Sequence, residues 1–198
     1  HLCDRRQRQM CIRDRYNAMN KSKEILEKSE SVLREANSNW DSKNDWFHEG
    51  NVSRALVEYL KSQSYECKKD NSDNIHIHGA DIIVCKGNKK EVIEVKGYPS
   101  DKYARGDKMG LKKPTKPSLQ ATHWFADCLK STILNYTKYK DGKYTLQLAM
   151  CFPDDDKGIY RKKIDEIKPF FSEGNLDIKV YFVDKEGKIR IDNLNSNL

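Results

Sequence analysis

The sequence predicts a mixed α/β domain with a central β-sheet flanked by helices, and three observations carry that expectation. Segments with apolar residues at helical spacing interleave with short runs that alternate or stay apolar throughout. Gly87-Asn88, Pro114 to Pro117, Pro153 to Asp156 and Gly174-Asn175 fall between those segments and break them. Taken along the chain, the order is two helices, three strands, a helix, a strand, a helix and two strands, which suits a sheet with helices laid against it.

Size and charge narrow the class. At 198 residues and 23.1 kDa the chain can bury a sizeable core. A charged content of 34% and a mean hydropathy of −0.89 make it polar, while 10% aromatic residues argue against disorder. The net charge of +7 and pI near 9.0 favour a polyanionic partner. No apolar run approaches the roughly 20 residues that cross a bilayer, and no leader is visible, so a cytoplasmic protein without a membrane partner is expected. The cysteines, Cys3, Cys11, Cys67, Cys85, Cys128 and Cys151, form no CxxC pair and read as reduced thiols.

Residues 1–18 show no apolar periodicity, and Met10 to Arg15 reads like translated adapter sequence. They are expected to be a non-native or disordered tail, with Met19 as the start; a basic arm for nucleic acid is the alternative. Residues 19–45 then form an accessory helix and link, the helix running over 22–37 with Ile25, Leu26, Val32 and Leu33. The main domain is expected over 46–198. It opens with a helix over 45–63 whose stripe is Val52, Ala55, Leu56, Tyr59 and Leu60, with Glu49 on the same inward side. An inward acid demands a partner.

A first strand is expected over 65–68, then a hairpin with strands over 82–84 and 92–96 around Gly87-Asn88. Glu94 and Lys96, two residues apart on a strand, share a face, and the hairpin brings Asp81 toward the same end. Two carboxylates and an ammonium on one patch suit a hard divalent cation and a water. The connection 101–116 carries Lys102, Arg105, Lys108, Lys112, Lys113 and Lys116 against Asp101 and Asp107. A helix capped by Ser118 follows, with Leu119, Trp124, Phe125, Cys128, Leu129 and Ile133 as its periodicity. A strand over 144–152, a helix over 159–171 built on Ile164, Ile167 and Phe170, and strands over 177–183 and 188–191 complete the chain.

An inward Glu on a helix, then Gly79-Ala80-Asp81-Ile82, then thirteen residues on Glu94-Val95-Lys96-Gly97, then a helix opening near Gln120, resembles the PD-(D/E)xK nuclease superfamily. Trp46 to Val52, Tyr103 to Gly106 and Gln120 to Ala126 resemble, within it, a bacterial restriction-endonuclease-like group. Ala80 stands where the superfamily has its proline. The resemblance implies a restriction-endonuclease-like three-layer core and a Mg²⁺-dependent deoxyribonuclease, an endonuclease, with Mn²⁺ substituting. It implies that Asp81 and Glu94 hold the metal with the Val95 carbonyl, and that Glu49 holds a metal-bound water or second ion. It further implies that Lys96 orients or deprotonates the attacking water and that Gln120 positions Lys96 or a phosphate. DNA is the implied partner, and a homodimer is allowed.

Each feature also has a plainer reading. Glu94 with Lys96 could be a surface ion pair, and Glu49 a helix-start acid facing the dipole. Glu58 reads as a solvated flank, His76 and His78 as a polar strand edge, His123 and Trp124 as packing. Lys102, Arg105, Lys112, Lys113 and Lys116 read as phosphate contacts, or as solubilising charge. The alternative class is a catalytically inactive nucleic-acid-binding or assembly module that retains the fold. A structural interaction protein without nucleic acid is the third.

Overall fold

Successive strands that pair with their sequence neighbours build a sheet in chain order. The structure, a computed structural model, describes residues 15–29, 42–73, 79–98, 102–103, 106–114, 116–173 and 176–195. They divide into two units. Asp41–Asp101 with Pro114–Leu198 form one; the other contains the helix of residues 15–29 and the segment Lys102–Lys113. In the latter unit the helix is exposed throughout and already formed at Arg15, ahead of the expected start. The Lys102–Lys113 segment folds back on itself through a Lys102–Lys112 bridge and a Tyr103 N–H to Leu111 carbonyl bond of 2.9 Å.

The larger unit holds six strands in the order β1 Glu66–Asp70, β2 Ile82–Lys86, β3 Lys89–Val95, β4 Thr145–Pro153, β5 Ile178–Val183 and β6 Ile189–Asn193. The pairs β1–β2, β2–β3 and β5–β6 are antiparallel, while β3–β4 and β4–β5 are parallel. Its helices are α1 Glu49–Ser62, α2 Pro117–Tyr139 and α3 Ile159–Ser172. The parallel steps β3 to β4 and β4 to β5 advance in one direction, so right-handed crossovers lay α2 and α3 on the same face. There Ala121, Phe125 and Cys128 of α2 and Tyr160 and Ile164 of α3 pack on Leu148, Met150, Phe152 and Val180. On the other face Val52, Leu56 and Leu60 of α1 pack on Ile82, Ile93, Val95 and Tyr181. The expected α/β class, a mixed sheet in a three-layer core, is what the chain forms.

Two helices differ locally from the sequence reading. The helix expected over 45–63 begins at Glu49, because the His48 side chain accepts the Gly50 N–H (3.2 Å) and closes the first turn there. The cap expected at Ser118 lies instead at Lys116, with a proline, favoured where a helix needs no N–H, opening the helix. The inner side of α2 is Ala121, Phe125, Cys128, Thr132 and Asn135, whereas Leu119 and Ile133 are 61% and 45% exposed. Phe170, expected in the stripe of α3, is 79% exposed. Cys67, Cys85, Cys128 and Cys151 are free thiols, and among the described residues no helix is long and apolar enough to cross a membrane.

Candidate functional site

The β2–β3 register creates the site. Ile82 pairs with Ile93, so the next rung sets Asp81 opposite Glu94 on the same face of the sheet. Both carboxylates are buried, at 8% and 7% exposure. Asp81 Oδ2 accepts the Val95 N–H at 2.7 Å, which pins the carboxylate to the end of β3. Glu94 Oε1 accepts from Asn135 Nδ2 of α2 at 2.8 Å. The two carboxyls lie close enough for the charge of Asp81 to act on Glu94, a like-charge repulsion that a proton or a cation relieves.

Past the strand end the chain turns toward α1. Lys96 Nζ stands 3.8 Å from Glu49 Oε2, and both side chains are mostly buried. Gly97 makes this approach feasible: a Cβ there would lie 2.6 Å from the Phe47 carbonyl oxygen and 2.7 Å from the Glu49 nitrogen. Tyr98 N–H bonds to Phe47 O at 2.9 Å, and the Tyr160 hydroxyl donates to Gly97 O at 2.8 Å, locking the turn from both sides. Glu49 is therefore a helix-start residue, as its plainer reading had it, that also meets Lys96.

Three carboxyls meet the Lys96 ammonium, and Lys69 also acts on Asp81. Burial pushes Glu49 above the ordinary carboxylate range, with Lys96 opposing and Asp81 reinforcing. Burial likewise raises Asp81, against the pull of the Val95 N–H and Lys96. Glu94 is pushed up to about 7, first by burial and then by the charge of Asp81, although Asn135 and Lys96 favour its ionised form. Burial alone would lower Lys96; the carboxylates of Glu49, Asp81 and Glu94 contribute to an opposite, larger effect and raise it.

Glu49, Asp81, Glu94 and Lys96 are thus brought together from α1, the β2 approach and β3, with Val95 at the centre through its N–H. Gln120 lies half-buried in the first turn of α2. Lys116 is the exposed N-cap of α2. Lys102, Lys112 and Lys113 belong to the other unit. Arg105, His76 and His78 fall outside the described residues. Asn135 was not singled out in the sequence. It sits on a helix whose apolar residues drew attention to other faces, and only a polar interruption at the inward spacing from Cys128 and Thr132 marks it.

Among the described residues, no three His, Cys, Asp or Glu side chains stand ready as a metal cage. The paired carboxyls nevertheless fit a Mg²⁺-like ion, which takes one or two carboxylates and keeps most of its waters. A cation would relieve the like-charge repulsion that raises Glu94 beside Asp81. A cavity of about 470 Å³ opens beyond the ends of β3, β4 and β5, lined by Trp46, Phe47, Tyr98, Asp154, Arg161 and Asp184 among others. Its aromatic side consists of the residues that flank Glu49 and Lys96 in sequence, at the strand ends where open α/β sheets bind ligands. Comparison with protein-family models, with curated proteins and with solved structures finds no match for this chain.

Proposed function

We propose that this chain is a cytoplasmic Mg²⁺-dependent nuclease that hydrolyses DNA phosphodiester bonds internally. The observation that carries the reading is the Asp81–Glu94 carboxyl pair, fixed by the hairpin register, with Lys96 two residues on. The resemblance to PD-(D/E)xK nucleases gives the same residues the same roles. Asp81 and Glu94, with the Val95 carbonyl, would hold Mg²⁺, whose chemistry there is to neutralise phosphate charge and favour ionisation of a water.

The chain's own groups supply the rest. The raised pKa of Lys96 keeps it an ammonium, so its part is to donate hydrogen bonds to charge building on the phosphate oxygens. Glu49 holds that ammonium in place and offers a carboxylate oxygen to orient water. Asn135 holds Glu94 in one rotamer, as outer partners of metal ligands do. Gln120, opening the neighbouring helix, would position a phosphate, and Lys102, Arg105, Lys112, Lys113 and Lys116 would contribute backbone contacts.

A plasmid-nicking assay tests this reading. Nicking with Mg²⁺ or Mn²⁺, its loss with EDTA and its loss in Asp81→Ala are expected; nicking that survives Asp81→Ala overturns the assignment. The second reading is an inactive nucleic-acid-binding or assembly module that retains the fold. Tight DNA binding without turnover under any divalent metal would select it.

A further inference from the structure

We propose that Lys69 and Lys138, with the hydroxyl of Tyr139, form a subsite for a backbone phosphate of the polynucleotide, adjacent to the one processed at Asp81 and Glu94. The proposal rests on the nuclease reading above. Its starting point is Gly79, whose φ of +100° is a conformation that side chains rarely adopt. A Cβ placed there would lie 3.1 Å from Lys138 Nζ, 3.2 Å from the Tyr139 hydroxyl and 3.4 Å from Lys69 Nζ. Three polar groups from two elements, β1 and the last turn of α2, converge on the one position in the approach to β2 that has no side chain.

The convergence is held by the peptide just before Asp81. Lys69 Nζ donates to the Ala80 carbonyl at 2.7 Å, and the Ala80 N–H donates to the Tyr139 hydroxyl at 3.4 Å. Lys138 is exposed, with its ammonium 5.3 Å from the centre of the Tyr139 ring. Among the described residues no carboxylate is within ion-pairing distance of it. A lysine in a last helical turn is favoured by the helix dipole alone. The dipole of α2 does not account for the second ammonium that β1 delivers to the same point, that of Lys69, which also acts on the Asp81 carboxylate.

An anion seated at this point accepts from all three donors. A phosphodiester oxygen fits because the subsite adjoins Asp81: two residues of chain span at most about 7 Å, the scale on which neighbouring phosphates follow one another. The acidic pair and the basic pair then face successive phosphates of one strand, one through a cation and the other directly.

The test is binding of fluorescently labelled DNA to the full chain in Ca²⁺, read by anisotropy from about 50 to about 200 mM NaCl. Lys138→Ala is expected to weaken binding and to reduce the slope of log K against log salt by about 0.9, one phosphate's worth. Lys69→Ala is expected to do the same, and the double variant to lose no second increment, because both lysines serve one phosphate. Lys138→Arg should restore the wild-type slope. Circular dichroism melts establish that each variant is folded, and Lys138, being exposed, keeps the test valid if Lys69→Ala is not. Wild-type DNA binding with an unchanged slope in Lys138→Ala overturns the subsite. Amide shifts at Gly79 that saturate with inorganic phosphate, while DNA binding ignores both lysines, also overturn it in favour of a free anion. If the wild type neither binds nor nicks DNA, the nuclease reading itself fails.

Discussion

Glu91 and Glu94 lie three residues apart on β3, point to opposite faces of the sheet and are buried at 0% and 7% exposure. Glu91 is met by Lys179 Nζ at 3.0 Å and by the hydroxyl of Tyr181. Its charge is balanced inside the fold by the Lys179 ammonium. Glu94 has one neutral donor, Asn135, and faces a second carboxyl across the hairpin. The ammonium that acts on it, Lys96, is shared with Glu49 and Asp81. Glu91 has its countercharge inside the fold, whereas Glu94 draws on an ammonium that two other acids also draw on, the kind of environment in which the perturbed carboxyls of functional sites occur.

The largest effects should separate the two acids by stability against activity. Glu91→Ala leaves the Lys179 ammonium buried without its carboxylate and is expected to cost about 3–5 kcal/mol, measured by urea unfolding. Glu94→Gln removes a like charge from beside Asp81, so unfolding at neutral pH should be unchanged or later while nicking is lost. Equal destabilisation by the two substitutions would erase the contrast. Lys96→Ala should lower kcat by about 10²–10³-fold with little change in Tm, whereas Lys179→Ala should chiefly lower Tm.

A pH series sharpens the comparison. Glu94 rises from 4.5 unfolded to about 7 folded, so the native state binds the extra proton between those values. Its contribution to stability is complete below 4.5 and is lost as pH climbs through about 7, by at most about 3 kcal/mol. Asp81 and Glu49, also raised, act in the same direction. Metal-free protein should therefore unfold more readily at about pH 8 than at about pH 5, and Glu94→Gln should flatten that dependence. The smallest effect is at Asn135. Asn135→Ala should cost about 1–2 kcal/mol of stability and weaken divalent-ion affinity about 10-fold, read by calorimetric titration.

What could be read in advance followed from local rules. Period-two alternation put Glu94 and Lys96 on one face, and the Gly87-Asn88 turn fixed the hairpin that returns Asp81 to them. Helical spacing turned Glu49 inward, although the His48 cap placed it at the helix start. Glu91 was hidden because its partners are remote: Lys179 is 88 residues away in sequence, and Lys89-Lys90-Glu91 looks like a charged turn. Asn135 was hidden because the exposed Leu119, Ile133 and Leu134 of α2 mimic a core stripe. Gly97 carried no local signal for its role, since the atoms that exclude a side chain there belong to residues 47 and 49.

The central proposal is that Asp81 and Glu94 bind a divalent ion, which displaces the proton that burial and the charge of Asp81 hold on Glu94. Isothermal titration of Mn²⁺ into the full chain, repeated in buffers of different ionisation enthalpy, measures it directly. Binding at one site with release of roughly half a proton at about pH 7, falling toward zero at about pH 9, is the expected result. Mn²⁺ binding that releases no proton, or that survives intact in Asp81→Ala, would contradict it.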